Sequence, residues 1–197
     1  MQEWSLGMYL LAAYLFGSIN SAVIVCRLFA LPNPFEAGSN NPGATNVLRL
    51  GGKKQAAIVL LFDMLKGLLP VILAKEYGLP LLSLSFIGLA AVLGHTYSLF
   101  YKFKGGKGVA TALGVLLSIN PAVGLLALSI WLLLAYFTHY SSLSSLVTLG
   151  LAPLYAAIFL QNFEVFPALF LIALVIFYKH SENIVRLMNG KESKIFR

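Results

Sequence analysis

Charge is what this sequence has least of. Only 11% of its 197 residues are Asp, Glu, Lys or Arg, against 59% hydrophobic. A soluble domain carries roughly 25% charged residues, so most of this chain is not built for solvation by water. Cysteine is nearly missing as well. The single Cys26 allows no internal disulfide and no cysteine metal cluster, and in an apolar run it reads as a small hydrophobe. Histidine occurs three times, at well-separated positions and without the H-E-x-x-H spacing of a zinc site. There is no G-x-S-x-G elbow, no Walker loop and no G-x-G-x-x-G loop. Basic residues precede no N-terminal apolar core, so the first run reads as a retained span and not as a cleaved leader.

Long apolar runs are plentiful. They cover residues 4–26, 55–74, 79–101, 108–163 and 165–178. The fourth is too long for one span and needs dividing. Asn120-Pro121 breaks it, because a residue before proline is biased away from helix. The polar cluster at 138–142 breaks it again. Helices are then expected near 109–119, 122–138 and 143–160, the first short for a span at 1.5 Å per residue. The fold class that follows is an all-α integral membrane protein of about seven transmembrane helices, with the N-terminus outside and the C-terminus cytoplasmic.

Charge placement orients that bundle. The net charge of +7 reflects basic residues collected in inner loops, not a nucleic-acid surface. With seven spans the inner segments are 30–55, 102–108, 139–142 and 179–197. They hold Arg49, Lys53, Lys54, Lys102, Lys104, Lys107, Lys179, Arg186, Lys191, Lys194 and Arg197, while the outer segments hold only Lys75. Joining 108–138 into one span would invert the tail and place its cations outside. Residues 1–197 read as one transmembrane domain without internal repeats, and paired broken helices of the transporter kind are absent.

Three polar segments stay outside the spans, at 36–54, 94–111 and 179–192. In the second, Gly105-Gly106-Lys107-Gly108 runs directly into a helix. Glycines let backbone approach a ligand closely, and free N–H groups at a helix start favour an anion. Lys104 and Lys107 add full charges, and Thr111 follows in the first helical turn. A flexible basic loop at a membrane surface fits the same spacing. In the first segment Gly38, Gly43, Gly51 and Gly52 loosen the chain, Ser39, Asn40, Asn41, Thr45 and Asn46 offer hydrogen bonds, and Arg49 offers a planar fork suited to phosphate. A turn with helix caps would use the same residue types. In the third, His180 and Asn183 share a face if the last helix continues. His180 is then either an acid–base group or an interfacial anchor. Asp63 and Lys66, three apart in a span, can pair with each other. Ser142 and Ser145 start the sixth helix, where they either cap it or face the same site.

Together these segments resemble the bacterial acyl-phosphate:glycerol-3-phosphate acyltransferases. The residues that carry the resemblance are Gly38-Ser39-Asn40-Asn41-Pro42-Gly43-Ala44-Thr45-Asn46 with Arg49, then Phe103-Lys104-Gly105-Gly106-Lys107-Gly108-Val109-Ala110-Thr111. The third group is His180-Ser181-Glu182-Asn183-Ile184-Val185-Arg186-Leu187 with Gly190-Lys191-Glu192. Phe62-Asp63, Lys66-Gly67 and Gly94-His95 fit as well. Two departures are visible: Asn40 replaces a glycine, and Asn33 and Phe35 stand where the family has Asp-x-Arg. The resemblance implies acyl transfer from an acyl phosphate to the 1-hydroxyl of glycerol 3-phosphate, the first acylation of bacterial phospholipid synthesis. It implies Ser39 and Arg49 as essential, Gly105, Gly106 and Gly108 in phosphate binding, and His180 and Asn183 in activity. Glu192, with Asp63, Lys66 and His95, is implied as structural. No metal or other cofactor is expected. The expected partners are the two substrates and the lipid bilayer, with the chain a monomer in the bacterial cytoplasmic (inner) membrane and its site at the cytoplasmic face. An anion transporter remains the rival class.

Overall fold

The computed structural model describes residues 2–195, with side chains from Leu6 onward. Arg197, counted above among the inner cations, lies outside the described residues. Every regular element described is helical. Five stretches are long and apolar enough to cross a bilayer: Leu6–Leu28, Lys53–Glu76, Leu81–Tyr101, Pro121–Thr138 and Ser141–Leu160. A sixth arises if Phe163–Lys179 is taken with Ser181–Met188, from which a 61° bend separates it. The remaining apolar helix, Val109–Ile119, is too short. The seven expected spans are thus all helical, but length and composition qualify five or six of them.

The expected breaks have clear local causes. Asn120 closes α6 (Val109–Ile119) and caps α7 (Pro121–Thr138). Its side chain accepts from the N–H groups of Ala122 and Val123, while Pro121 takes the first helical position, where a missing N–H costs nothing. His139, at φ 62°, turns the chain from α7 into α8 (Ser141–Leu160). The first apolar run was not expected to break, yet it does. Helix α1 (Gln2–Gly17) ends, and Asn20 caps a new helix α2 (Ser21–Leu28) by accepting from Val23 N–H. Hydropathy averages over such a break, because the residues on either side are apolar.

The short α6 is held tightly against a neighbour. It packs beside α4 (Lys53–Glu76) so closely that a methyl on Gly67 would sit 2.0 Å from the Thr111 carbonyl oxygen. A methyl on Gly114 would sit equally close to the Met64 oxygen. At the other end Lys75 Nζ donates to the carbonyls of Ser118 and Ile119, at 3.3 and 3.1 Å. The two helices therefore run parallel, and α6 begins level with the middle of α4. Eleven residues give about 17 Å of helix, roughly half an apolar core about 30 Å thick. The chain before it must dip into the bundle to reach that starting point.

Helix α5 (Leu81–Thr96) lies at the centre, largely buried. It shares one apolar core with α6, α8 and α9 (Phe166–Lys179). The short helix α3 (Ala44–Gly51) sits outside the spans, and α10 (Ser181–Met188) follows α9 across the 61° bend. Buried Cys26 packs with Ala22, Val25, Val47 and Val59, as a small hydrophobe.

Candidate functional site

The four segments assigned to one face by charge meet at one end of the bundle. Arg49 Nη2 donates to Ser193 Oγ at 2.8 Å, and Ile195 N–H donates to the His139 carbonyl at 2.8 Å. Ser142 Oγ donates to Glu192 Oε1 at 2.8 Å, and Lys107 Nζ donates to Asn183 Oδ1. Loop 30–55, loop 102–108, corner 139–142 and the tail are thereby tied together.

Glu192 is the hub of the tail. Its Oε1 accepts from Ser142 and from Asn183 Nδ2 (2.5 Å), and its Oε2 accepts from Arg186 Nε at 2.7 Å. Burial would raise the carboxyl, but the hydrogen bonds from Arg186, Asn183 and Ser142 outweigh it and hold Glu192 below the ordinary carboxylate range. Ser142 thus clamps the tail and caps nothing. Ser145 is committed inside the bundle, donating to the Ser141 carbonyl at 2.7 Å and accepting from Trp131 Nε1 at 3.0 Å.

Asn183 stands between Glu192 and Lys107, passing the hydrogen bond from one to the other. Burial, then the charge of Arg186, lowers Lys107 to about 8. Its ammonium is a cation held in a protected place, ready to meet an anion. His180 is buried at the bend between α9 and α10, so the condition of an unbroken last helix is not met. The side chain still lies one turn before Asn183 on the same end. Its Nδ1 lies 2.8 Å from the Ile176 carbonyl, an acceptor only, so that nitrogen carries the proton. Burial, then the Lys107 charge, lowers the imidazole to about 4. The ring is neutral at pH 7 and offers Nε2 as an acceptor.

The glycine loop supplies backbone donors. Gly108, at φ 82°, starts α6 without any side-chain cap. The first N–H groups of that helix are therefore not taken by a cap and favour an anion. Gly105 and Gly106 are buried against His95, and Gly106 N–H donates to the His95 carbonyl at 3.1 Å. Thr111 is wholly buried, its hydroxyl without a partner among the described residues. Lys104 is exposed and lines an open cleft with Phe35, Asn40, Phe100, Tyr101 and Lys102.

In the first segment Asn46 is used entirely by its own loop. Its Oδ1 accepts from Ser39 N–H (2.8 Å), and its Nδ2 donates to the carbonyls of Pro34 (3.1 Å) and Ala37 (2.9 Å). Gly38 is at φ 68° and Asn40 at φ 55°, a left-handed conformation that asparagine tolerates. The polar side chains of this loop do not cap α3, whose N-cap is Gly43 with no side-chain bond. Ser39, Thr45 and Arg49 are exposed and Asn41 is half-buried. No base holds the Ser39 hydroxyl among the described hydrogen bonds, and only its N–H is engaged.

Below the site lies a buried polar group. Lys66 Nζ donates to Asp63 Oδ1 at 2.6 Å, the expected i, i+3 pair, and His95 Nδ1 stands 3.6 Å from the same oxygen. Ser21 Oγ donates to Asp63 at 2.5 Å. Sequence reading did not find Ser21. The available signal was a serine just after a capping asparagine, inside an otherwise apolar run. Among the described residues no three His, Cys, Asp or Glu side chains cluster as a metal site.

A family model described as glycerol-3-phosphate acyltransferase matches residues 7–190. A glycerol-3-phosphate acyltransferase of Legionella pneumophila (strain Corby) is 53% identical over 186 residues, covering 94% of this chain and 67% of that protein. One from Shewanella woodyi is 53% identical over 193 residues, covering 98% and 94%. The fold is also similar to a crystal structure of PlsY (YgiH), an integral membrane glycerol 3-phosphate acyltransferase, in its glycerol 3-phosphate form. That match has a TM-score of 0.91 and 40% identity, covering 96% of this chain and 95% of that one. The lysophosphatidic acid form of the same protein gives a TM-score of 0.89.

Proposed function

The chain belongs to the glycerol-3-phosphate acyltransferase family, and from that membership we propose that it takes its acyl group from an acyl phosphate. The acceptor is the 1-hydroxyl of glycerol 3-phosphate, and the products are lysophosphatidic acid and phosphate. The observation that carries this reading is the hydrogen bond between Lys107 and Asn183. It joins the glycine loop to the tail motif at the end of the bundle where Arg49 also lies. Donor and acceptor each bring a phosphate. The free N–H groups at α6 with Lys107 form one anion site, and loop 38–46 with Arg49 forms the other.

In the reaction the 1-hydroxyl oxygen attacks the acyl carbon. The bond from that carbon to the phosphate oxygen breaks, and its electron pair leaves with phosphate. The hydroxyl proton needs an acceptor. His180, lowered to about 4, is a weaker base than a phosphate oxygen with a second pKa of about 6. We therefore assign the proton to the donor's own phosphate. His180 Nε2 and Asn183 orient the glycerol hydroxyls, and Lys107 stabilises charge developing on the leaving phosphate. An acyl-enzyme on Ser39 finds no support, because no activating base contacts its hydroxyl. Ser39 instead serves loop 38–46 as an anchor for a phosphate. The acyl chain lies along the apolar helices while both headgroups stay at the polar end. We place that end at the cytoplasmic face of the bacterial inner membrane, from the inner cations, and take the single domain to work as a monomer.

The test is phosphate release from palmitoyl phosphate by the purified protein, with and without glycerol 3-phosphate and in the absence of acyl-CoA. Acceptor-dependent release is expected. Release only when acyl-CoA or an acyl carrier protein thioester replaces the acyl phosphate would overturn the donor assignment.

A further inference from the structure

His95 touches both neighbours that matter for the glycine loop. On one side, a methyl on Gly105 would lie 2.1 Å from the His95 carbonyl oxygen, and a methyl on Gly106 would lie 2.2 Å from His95 Nε2 and 3.0 Å from the Pro42 oxygen. Gly106 N–H also donates to the His95 carbonyl. On the other side, His95 Nδ1 faces Asp63 Oδ1 at 3.6 Å, and Asp63 is fixed in turn by Lys66 and Ser21. Asp63, Lys66, His95 and Ser21 are each more than nine-tenths buried. A continuous line of packed polar groups therefore runs from α2 and α4, through the end of α5, to the backbone of residues 105–106. The loop dips into the bundle and lands on a buried imidazole.

From this line we propose that His95, wedged by the Asp63–Lys66–Ser21 group, is the positioning residue that sets the height and aim of the glycine loop's anion-holding N–H groups. The proposal rests on the phosphate reading of that loop. Packed interiors forfeit contact when a group shifts by even a fraction of an ångström, and hydrogen-bond donors to an anion lose strength steeply as their angle worsens. Removing the imidazole frees the loop to settle, so binding of the phosphate it holds weakens. Lys107 is held by Asn183, which Glu192 holds in turn, and His180 is held by the Ile176 carbonyl, so these reacting groups keep their places once substrate saturates the site.

The experiment uses the full-length protein in detergent with His95→Ala, Gly106→Ala and the double variant, in the phosphate-release assay, varying each substrate separately. His95→Ala is expected to raise the KM of one phosphate substrate at least tenfold while kcat stays within threefold. The double variant is expected to be no worse than the worse single, because the imidazole and the added methyl compete for one space. A fall in kcat with both KM values unchanged, or effects that multiply in the double variant, would overturn the proposal. If His95→Ala is not recovered monodisperse, His95→Gln carries the test. Its flexible amide swings away, so Gly106→Ala must harm this background less than the parent, and equal harm refutes the strut. Calorimetric binding of inorganic phosphate separates this idea from the donor assignment. Weaker binding in His95→Ala supports it and unchanged binding overturns it, whichever donor the enzyme uses.

Discussion

Lys107 donates to the side-chain oxygen of Asn183, a residue 76 positions further along the chain. The amide of Asn183 in turn donates to Glu192, so cation, amide and carboxylate form one chain of hydrogen bonds. Each member fixes the next, and the groups are expected to act as a unit.

Lys107→Met and Asn183→Ala should each lower kcat/KM by on the order of 10²-fold, the size typical of losing one group that stabilises transition-state charge. The double variant should lose little more than the worse single, since linked groups are strongly non-additive. Steady-state kinetics of the three proteins decide this. Effects that multiply would mean that the two residues act separately.

The alkaline limb of activity should report Lys107. With its pKa lowered to about 8, the charged form is lost above that pH, so kcat/KM should fall with an apparent pKa near 8. A bound phosphate favours the ammonium, so the same limb in kcat should lie higher. Lys107→Arg should move the limb out of range, at a cost from the different fork geometry. His180, lowered to about 4, should give no transition near 6.5. Nitrogen-15 NMR of the labelled imidazole should show the neutral form, with its proton on Nδ1, throughout pH 6–8.

Glu192 couples the tail to stability. Its pKa is lower folded than unfolded, so its contribution is present above the ordinary carboxylate value of about 4.3. That contribution is lost as pH falls from there through the lower folded value. Glu192→Gln should reduce stability at pH 7 by about 1.5–3 kcal/mol, the scale of hydrogen bonds to a charged group. It should also flatten the acid dependence of Tm, which a thermal scan in detergent between pH 3 and 7 would measure. An unchanged acid slope would count against the clamp.

Breaking the Asp63–Lys66 pair on one side should be worse than removing it whole. Lys66→Met leaves a buried carboxylate uncompensated and should destabilise by about 3–5 kcal/mol, whereas replacing both partners by apolar residues should cost less. Comparative Tm values of single and double variants test the order. A double variant less stable than either single would contradict it.

Much of this molecule was legible along the chain. Helix breaks at Asn120-Pro121 and around His139 follow from local backbone chemistry, which neighbouring residues dictate. The pairing of Asp63 with Lys66 follows from helical spacing. The three motif segments were recognisable by residue identity, and charge placement grouped their loops at one end. Other features were not legible. Asn46 looked like a ligand-binding amide, and its donors and acceptor turned out to hold its own loop. Ser142 looked like a cap or site residue and instead holds Glu192. Ser193, which engages Arg49 from 144 positions away, carried no signal at all.

The sequence by itself determined an apolar helical bundle, its polar end and the family whose chemistry it carries, because hydropathy, spacing and motif identity are local properties. Only the tertiary structure decided how deep the glycine loop sits, that His95 lies beneath it, and which polar groups face substrate rather than one another. Those outcomes depend on close packing between helices far apart in the chain, such as Gly67 against Thr111, and no local pattern of residues encodes a distance of that kind.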